Sequence, residues 1–144
     1  MFESSCDINF LDPVFRPKVR RFLQLCKEAK IDLCVVEAKR SLSRQCYLYG
    51  KGRWLGKGWE KKYLGYDDPN ISCEPKAAQV TWTMASAHLS GNAIDIVPLK
   101  GEKAWWTAPM DVWNAIYDIA ENCGIQSLWR KSTIDKPHLQ LPTL

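Results

Sequence analysis

The segment Ser86-Ala87-His88-Leu89-Ser90-Gly91-Asn92-Ala93-Ile94-Asp95-Ile96-Val97 reads as a turn feeding a short strand. Ser90-Gly91-Asn92 is the turn signal, Ala93 to Val97 is rich in β-branched residues, and Pro98 is expected to end the strand. Asp95 is its odd member. An ionised carboxylate in an apolar strand is costly unless it is paired or coordinates a metal. Strand alternation places Ala93, Asp95 and Val97 on one face and Ile94 and Ile96 on the other.

A second segment, Asp135-Lys136-Pro137-His138-Leu139-Gln140-Leu141, divides in the same way. Pro137 suits the first position of a strand, His138 and Gln140 share one face, and Leu139 and Leu141 share the opposite one. If the two strands are neighbours, His138 and Asp95 converge, and the preceding turn brings in His88. The chain has 2 histidines, and both fall in these segments. A hydrogen-bonded structural role is the competing reading for each. Two imidazoles and one carboxylate with an open position form a three-ligand hydrolytic zinc site, and Asp135 is left over to handle protons. The pattern points to a metallohydrolase.

The same residues carry a resemblance. Ser86, His88, Gly91, Ala93 and Asp95 match the Ser-x-His-x-x-x-x-x-x-Asp hallmark, with its internal Gly-x-Ala, of the zinc peptidases that include D-Ala-D-Ala carboxypeptidases and phage or bacterial L-alanyl-D-glutamate endopeptidases. Val80-Thr81-Trp82-Thr83 looks like the endopeptidase lead-in, and Asp135-x-Pro137-His138-x-Gln140 resembles that branch's closing motif, with Leu139 in place of Phe. Upstream, Arg40-Ser41-Leu42-Ser43-Arg44-Gln45, Leu48-Tyr49 and Gly52-Arg53 resemble a third family element. The likeness runs from about Val35 to Leu141.

The resemblance implies a small antiparallel sheet with helices packed around it, the hedgehog and D-Ala-D-Ala peptidase type of fold. It implies zinc held by His88, Asp95 and His138, Asp135 as general base, and Arg40 stabilising a substrate carbonyl or carboxylate. Ser86, Gln45 and Gln140 are assigned to orienting the ligands or the substrate, since no base lies near Ser86 or Gln45 in sequence. The implied substrate is bacterial peptidoglycan, and the implied cut is at L-Ala-D-Glu by a phage or prophage lysis enzyme. D-Ala-D-Ala carboxypeptidase activity is the alternative. Two departures bear on the substrate pocket: a longer segment between Arg53 and Val80, and Gln126-Ser127-Leu128-Trp129 where the family has a Trp-Gly-Gly-like stretch.

At 144 residues and 46% hydrophobic, the chain is expected to form one catalytic domain spanning 1–144, without a separate wall-binding module. No stretch approaches the ~18 apolar residues of a membrane span, so no membrane insertion is expected. The start lacks the basic and apolar runs of a signal peptide, so the expectation is synthesis in the cytoplasm and action on the wall after release. A monomer is expected. The 6 cysteines show no Cys-x-x-Cys pair and are expected to be reduced, with Cys26, Cys34 and Cys123 serving as small hydrophobes.

Phe15, Val19, Phe22, Cys26 and Ala29 recur at helical spacing and predict an amphipathic helix over about 14–30. A strand over 31–38 delivers Arg40, and a helix over about 43–50 follows. A further helix over about 109–123, started by Pro109 and stopped by Gly124, buries Trp113, Ile116, Tyr117 and Ala120. Few strands and segregated helices indicate an α+β domain.

A basic, aromatic insertion occupies about 51–79. Over 51–66, Lys51, Arg53, Lys57, Lys61 and Lys62 against Glu60 leave +4, equal to the formal net charge of the whole chain. Trp54, Trp59, Tyr63 and Tyr66 are interleaved with these cations. Such a stretch could stack bases as a single-stranded nucleic-acid-binding module, the main non-enzyme alternative, or grip an anionic wall polymer. A solvated loop anchored by its aromatics is the plainest reading. Nucleic-acid binding leaves His88, Asp95, Asp135 and His138 unexplained, so no nucleic-acid partner is expected.

Overall fold

A computed structural model of the chain describes residues 6–81, 84 and 86–142. Trp82 and Thr83 of the expected lead-in, and the first five positions used in reading the leader, lie outside the described residues. A single turn of 3-10 helix, Ile8–Phe10, leads into α1 (Phe15–Glu28). Then come β1 (Leu33–Glu37), α2 (Leu42–Tyr49), the short α3 (Lys61–Leu64), β2 (Ala93–Lys100) and β3 (Lys103–Ala104). The chain ends with α4 (Met110–Asn122), β4 (Gln126–Ser127), α5 (Leu128–Ser132) and β5 (His138–Gln140).

The sheet runs β1-β2-β5-β4, with β3 pairing the far end of β2, and every pairing is antiparallel. Phe15, Val19, Phe22 and Cys26 of α1 and Trp113, Ile116, Tyr117 and Ala120 of α4 share one core with Ile94, Ile96 and Leu139. Burying such a set supplies most of the drive to fold. Both helices therefore cover the face of the sheet that carries Ile94, Ile96 and Leu139. The opposite face carries Asp95 and His138. This is the α+β arrangement expected from the sequence.

Strand β2 does not stop at Pro98 as its sequence suggested, but continues to Lys100. Leu99 donates its N–H to Asp32, so Pro98 faces the other edge, where its carbonyl accepts from Trp105. β5 pairs only with Ala93 to Asp95, so the missing N–H of Pro98 costs the ladder nothing.

Strand β1 carries a bulge. Val35 is opposite Ile96, but the next paired residue is Glu37, opposite Asp95, and Val36 is the extra residue. Directly opposed residues share a face. The bulge therefore turns Glu37 away from the core and onto the face of Asp95, as bulges beside functional sites commonly do.

Residues 51–79 fold against α2. Trp59 and Tyr63 pack on Tyr49 of α2, with ring centroids 5.8 and 6.4 Å from it, and Lys51 bonds Glu74 across the base at 3.0 Å. Arg53 sits 3.9 Å over the Tyr49 ring. Lys51 and Arg53 are thus engaged within the fold, and Lys62 lies 5.6 Å over the Tyr63 ring, while Lys57, Lys61 and Lys62 are exposed. The 6 cysteines are free thiols, and burial pushes the Cys26 thiol up to about 12. No helix among the described residues is long and apolar enough to cross a membrane.

Candidate metal centre

Three elements bring the site together. β2 contributes Asp95, β5 contributes His138 directly opposite it, and the turn before β2 contributes His88. Gly91 allows that turn to lie against the chain entering α1. Its carbonyl accepts from Asp12 N–H at 3.0 Å, its φ is +75°, and a Cβ there would come within 2.9 Å of the Asp12 nitrogen. The Arg40 N–H bonds the His88 carbonyl at 3.0 Å, which ties the turn to the segment after β1.

One ligand atom each from His88, Asp95 and His138 lies within 4.8 Å of the others. Asp95 Oδ2 is 3.3 Å from His88 Nε2, and Asp95 Oδ1 is 3.4 Å from His138 Nδ1. The far nitrogen of each ring is already engaged. His88 Nδ1 donates to the Ala38 carbonyl at 2.7 Å, and His138 Nε2 donates to Gln140 Oε1 at 2.8 Å. Each bond selects the tautomer whose lone pair points toward Asp95.

Two of the inward atoms, His88 Nε2 and Asp95 Oδ1, are buried without a hydrogen-bond partner. Buried polar atoms are costly when unsatisfied. A cation between these atoms satisfies both, and two imidazoles with a carboxylate are a donor set that suits zinc. Without a cation, burial alone would raise the Asp95 carboxyl and lower the His138 imidazole. The neighbouring imidazoles outweigh the first effect and hold Asp95 well below the usual carboxylate range. The Asp95 charge outweighs the second and raises His138.

Asp135 precedes β5 in a left-handed conformation, φ +58°, and its Oδ2 is 4.0 Å from His138 Nδ1. Its side chain is 45% exposed, so it stands at the mouth of the site rather than among the ligand atoms. Desolvation and the charge of Asp95 raise its carboxyl above the ordinary value. The Tyr117 hydroxyl donates to the Lys136 carbonyl at 2.8 Å and anchors this turn to α4.

Arg40 and Ser86 also line the cleft, which measures about 670 Å³, while Gln45 is buried behind Arg40 rather than on its wall. Arg40 is buried and heavily engaged: Nε and one terminal nitrogen bond both oxygens of Glu37 at 2.7 Å, and the other terminal nitrogen bonds Gln45 Oε1 at 2.7 Å. It stands 3.9 Å from Asp95 Oδ2. Gln45 donates onward to Thr81 Oγ1 at 3.1 Å, and Ser86 Oγ accepts the His88 N–H at 3.2 Å, shaping the turn. Glu37 is the residue that sequence reasoning overlooked. The argument applied to Asp95 would have found it, because Glu37 is likewise a carboxylate closing an apolar strand, Leu33-Cys34-Val35-Val36-Glu37.

No family model matches the chain, and no curated protein sequence matches it. Solved structures do. The L-Ala D-Glu endopeptidase ChiX of Serratia marcescens matches over 94% of this chain and 83% of its own, at 20% identity and a TM-score of 0.59. A variant of the vancomycin-resistance D,D-pentapeptidase VanY in complex with Zn(II) matches over 98% and 79%, at 19% identity and a TM-score of 0.59. The LD-carboxypeptidase LdcB matches over 97% and 63%, at 18% identity and a TM-score of 0.55. The chain has the fold that these peptidases share.

Proposed function

We propose that the protein is a zinc-dependent peptidase of bacterial peptidoglycan that cleaves the stem peptide between L-Ala and D-Glu and serves in phage or prophage lysis. The observation that carries the proposal is the convergence of His88, Asp95 and His138, tautomers preset, at the floor of a cleft with Asp135 at its mouth. The likeness in fold to an L-Ala D-Glu endopeptidase and to D,D- and LD-carboxypeptidases supports the substrate class.

In this reading His88, Asp95 and His138 would hold zinc. The ion supplies Lewis acidity toward a carbonyl and lowers the pKa of water. Asp135 takes the proton of the attacking water and returns it to the leaving amine. Arg40 keeps Asp95 and Glu37 in place and directs positive potential at the charge developing on the carbonyl oxygen. Gln140 and the Ala38 carbonyl keep the two imidazoles aimed.

Digestion of purified cell walls by the zinc-loaded protein, followed by mass spectrometry of the fragments, tests this. The expected products carry a new amino terminus on D-Glu and leave L-Ala on the muramyl group. Free D-Ala as the only product places the activity with the carboxypeptidases, and no cleavage of wall material rejects the proposal. Lysis of cells with permeabilised membranes tests the lysis role.

A further inference from the structure

A cavity of about 940 Å³, larger than the 670 Å³ cleft of the metal site, lies in the 51–79 segment. Its frame is held by bonds within the segment. Gly52 N–H bonds the Glu74 carbonyl at 2.8 Å and Glu74 N–H bonds the Gly50 carbonyl at 2.9 Å, which closes the base, and Asp68 N–H bonds the Glu60 carboxylate at 3.3 Å. Trp59 and Ile71 supply apolar wall, and Trp59 is fixed by Tyr49 and Tyr63 at centroid distances of 5.8 and 6.1 Å. Trp54 also lines the cavity, with 81% of its surface exposed. An indole held at a preformed cavity offers a platform for a flat apolar face.

The charge of the walls decides what that face belongs to. Along the chain the segment is basic, but around the cavity Lys57 and Lys61 meet three carboxylates, Glu60, Asp67 and Asp68, while Lys51 and Arg53 are engaged by Glu74 and Tyr49. A polyanion, whether nucleic acid or an anionic wall polymer, draws its affinity from a surplus of cations, which these walls lack. The side chains of Lys57, Lys61 and Asp67 are exposed and make no hydrogen bond or ion pair among the described residues, so donors and an acceptor stand ready beside the indole. A pyranose ring fits that combination: its C–H face is apolar and packs on an aromatic ring, and its hydroxyl and amide groups both donate and accept. We propose that the cavity is a saccharide subsite, which holds an uncharged N-acetylated amino sugar of the glycan strand while the neighbouring cleft holds the stem peptide. One helix carries both, since Leu48 of α2 lines the cleft and Tyr49 packs on Trp59 of the cavity wall. The identity of the polymer rests on reading the cleft as that of a peptidoglycan peptidase.

The test titrates the full-length, metal-free protein calorimetrically with a peptide-free tetramer of N-acetylglucosamine. The tetramer should bind wild type with an affinity unchanged between about 50 and about 200 mM salt, a range over which polyanion binding falls steeply. Trp54→Ala should weaken it by about 10-fold, the scale of one aromatic contact, and Trp54→Phe should recover part of the loss. With the zinc-loaded protein, Trp54→Ala should raise KM by about 10-fold on a stem peptide attached to its glycan and leave a glycan-free stem peptide unchanged. No binding of the tetramer to wild type, equal binding by wild type and Trp54→Ala, or equal losses on both peptides overturns the proposal. Salt-sensitive binding of a short oligothymidylate in place of the tetramer assigns the segment to nucleic acid and likewise overturns it. Tetramer binding that is lost in Trp54→Ala, in a protein that cuts no wall, keeps the subsite and rejects the peptidase reading.

Discussion

His138 donates its Nε2 proton to Oε1 of Gln140, two residues further along the same strand, at 2.8 Å. Because β residues two apart share a face, this bond is made within one strand and needs no other element. It leaves Nδ1 of His138 free of a proton and aimed at Asp95 Oδ1.

Gln140→Ala should therefore weaken zinc binding by about 10- to 100-fold, the usual effect of losing the partner of a ligand histidine. Competition with a chromogenic chelator measures it. Gln140→Glu, which retains an acceptor oxygen, should restore most of the affinity. Unchanged affinity in Gln140→Ala would show that the strand alone fixes the ring.

Asp135 is set apart from the ligand atoms, half exposed and 4.0 Å from His138 Nδ1. Asp135→Asn should keep zinc content and thermal stability while turnover falls by about 10²-fold or more, the scale of general-base removal. Metal analysis beside steady-state kinetics decides the matter. Zinc lost together with activity would make Asp135 a ligand instead.

Glu37 neutralises a buried arginine, and both side chains are close to 10% exposed (12% and 9%). Glu37→Gln should cost about 3 kcal/mol, the low end for breaking a buried pair, because Asp95 remains 3.9 Å from Arg40. Urea denaturation of the zinc-loaded protein gives the number. A loss below about 1 kcal/mol would mean that water reaches Arg40 freely, as it does in exposed pairs.

The metal-free protein should respond to pH through Asp95 and His138. His138 is raised in the fold, so its contribution is fully present below the ordinary imidazole value of about 6.5 and disappears as pH rises through the raised value. Asp95 is depressed, so its contribution is present above about 3.9 and is lost as pH falls toward the depressed value. Chelator-treated protein should thus lose stability as pH rises above about 6.5, seen as a falling urea midpoint. His138→Gln should flatten that decline. A decline as steep in the variant would assign it to other groups.

Much of the architecture could be read along the chain because its signals are local. The stripe of Phe15, Val19, Phe22 and Cys26 specifies α1, and the stripe of Trp113, Ile116, Tyr117 and Ala120 specifies α4; all eight side chains are buried. The alternation around Asp95 and His138 specified which of their neighbours face the core. Residues two, three or four apart lie on one face by backbone geometry alone, so such patterns survive without knowledge of the partner strand.

What tertiary structure decided concerns pairs distant in sequence. The bulge at Val36 aims Glu37 at the site, and it is a property of register between β1 and β2 that no periodicity in either strand announces. The Ala38 carbonyl selects the His88 tautomer across 50 residues of chain, and the Trp105 N–H arriving at the Pro98 carbonyl carries β2 beyond its expected end. Arg40 and Arg44 are four residues apart on similar sequence terms, yet one is saturated by Glu37 and Gln45 and the other is left with an orphaned donor. Composition assigns both the same charge. Only the packed fold, by settling which acceptors come within hydrogen-bonding distance, gives them different surroundings.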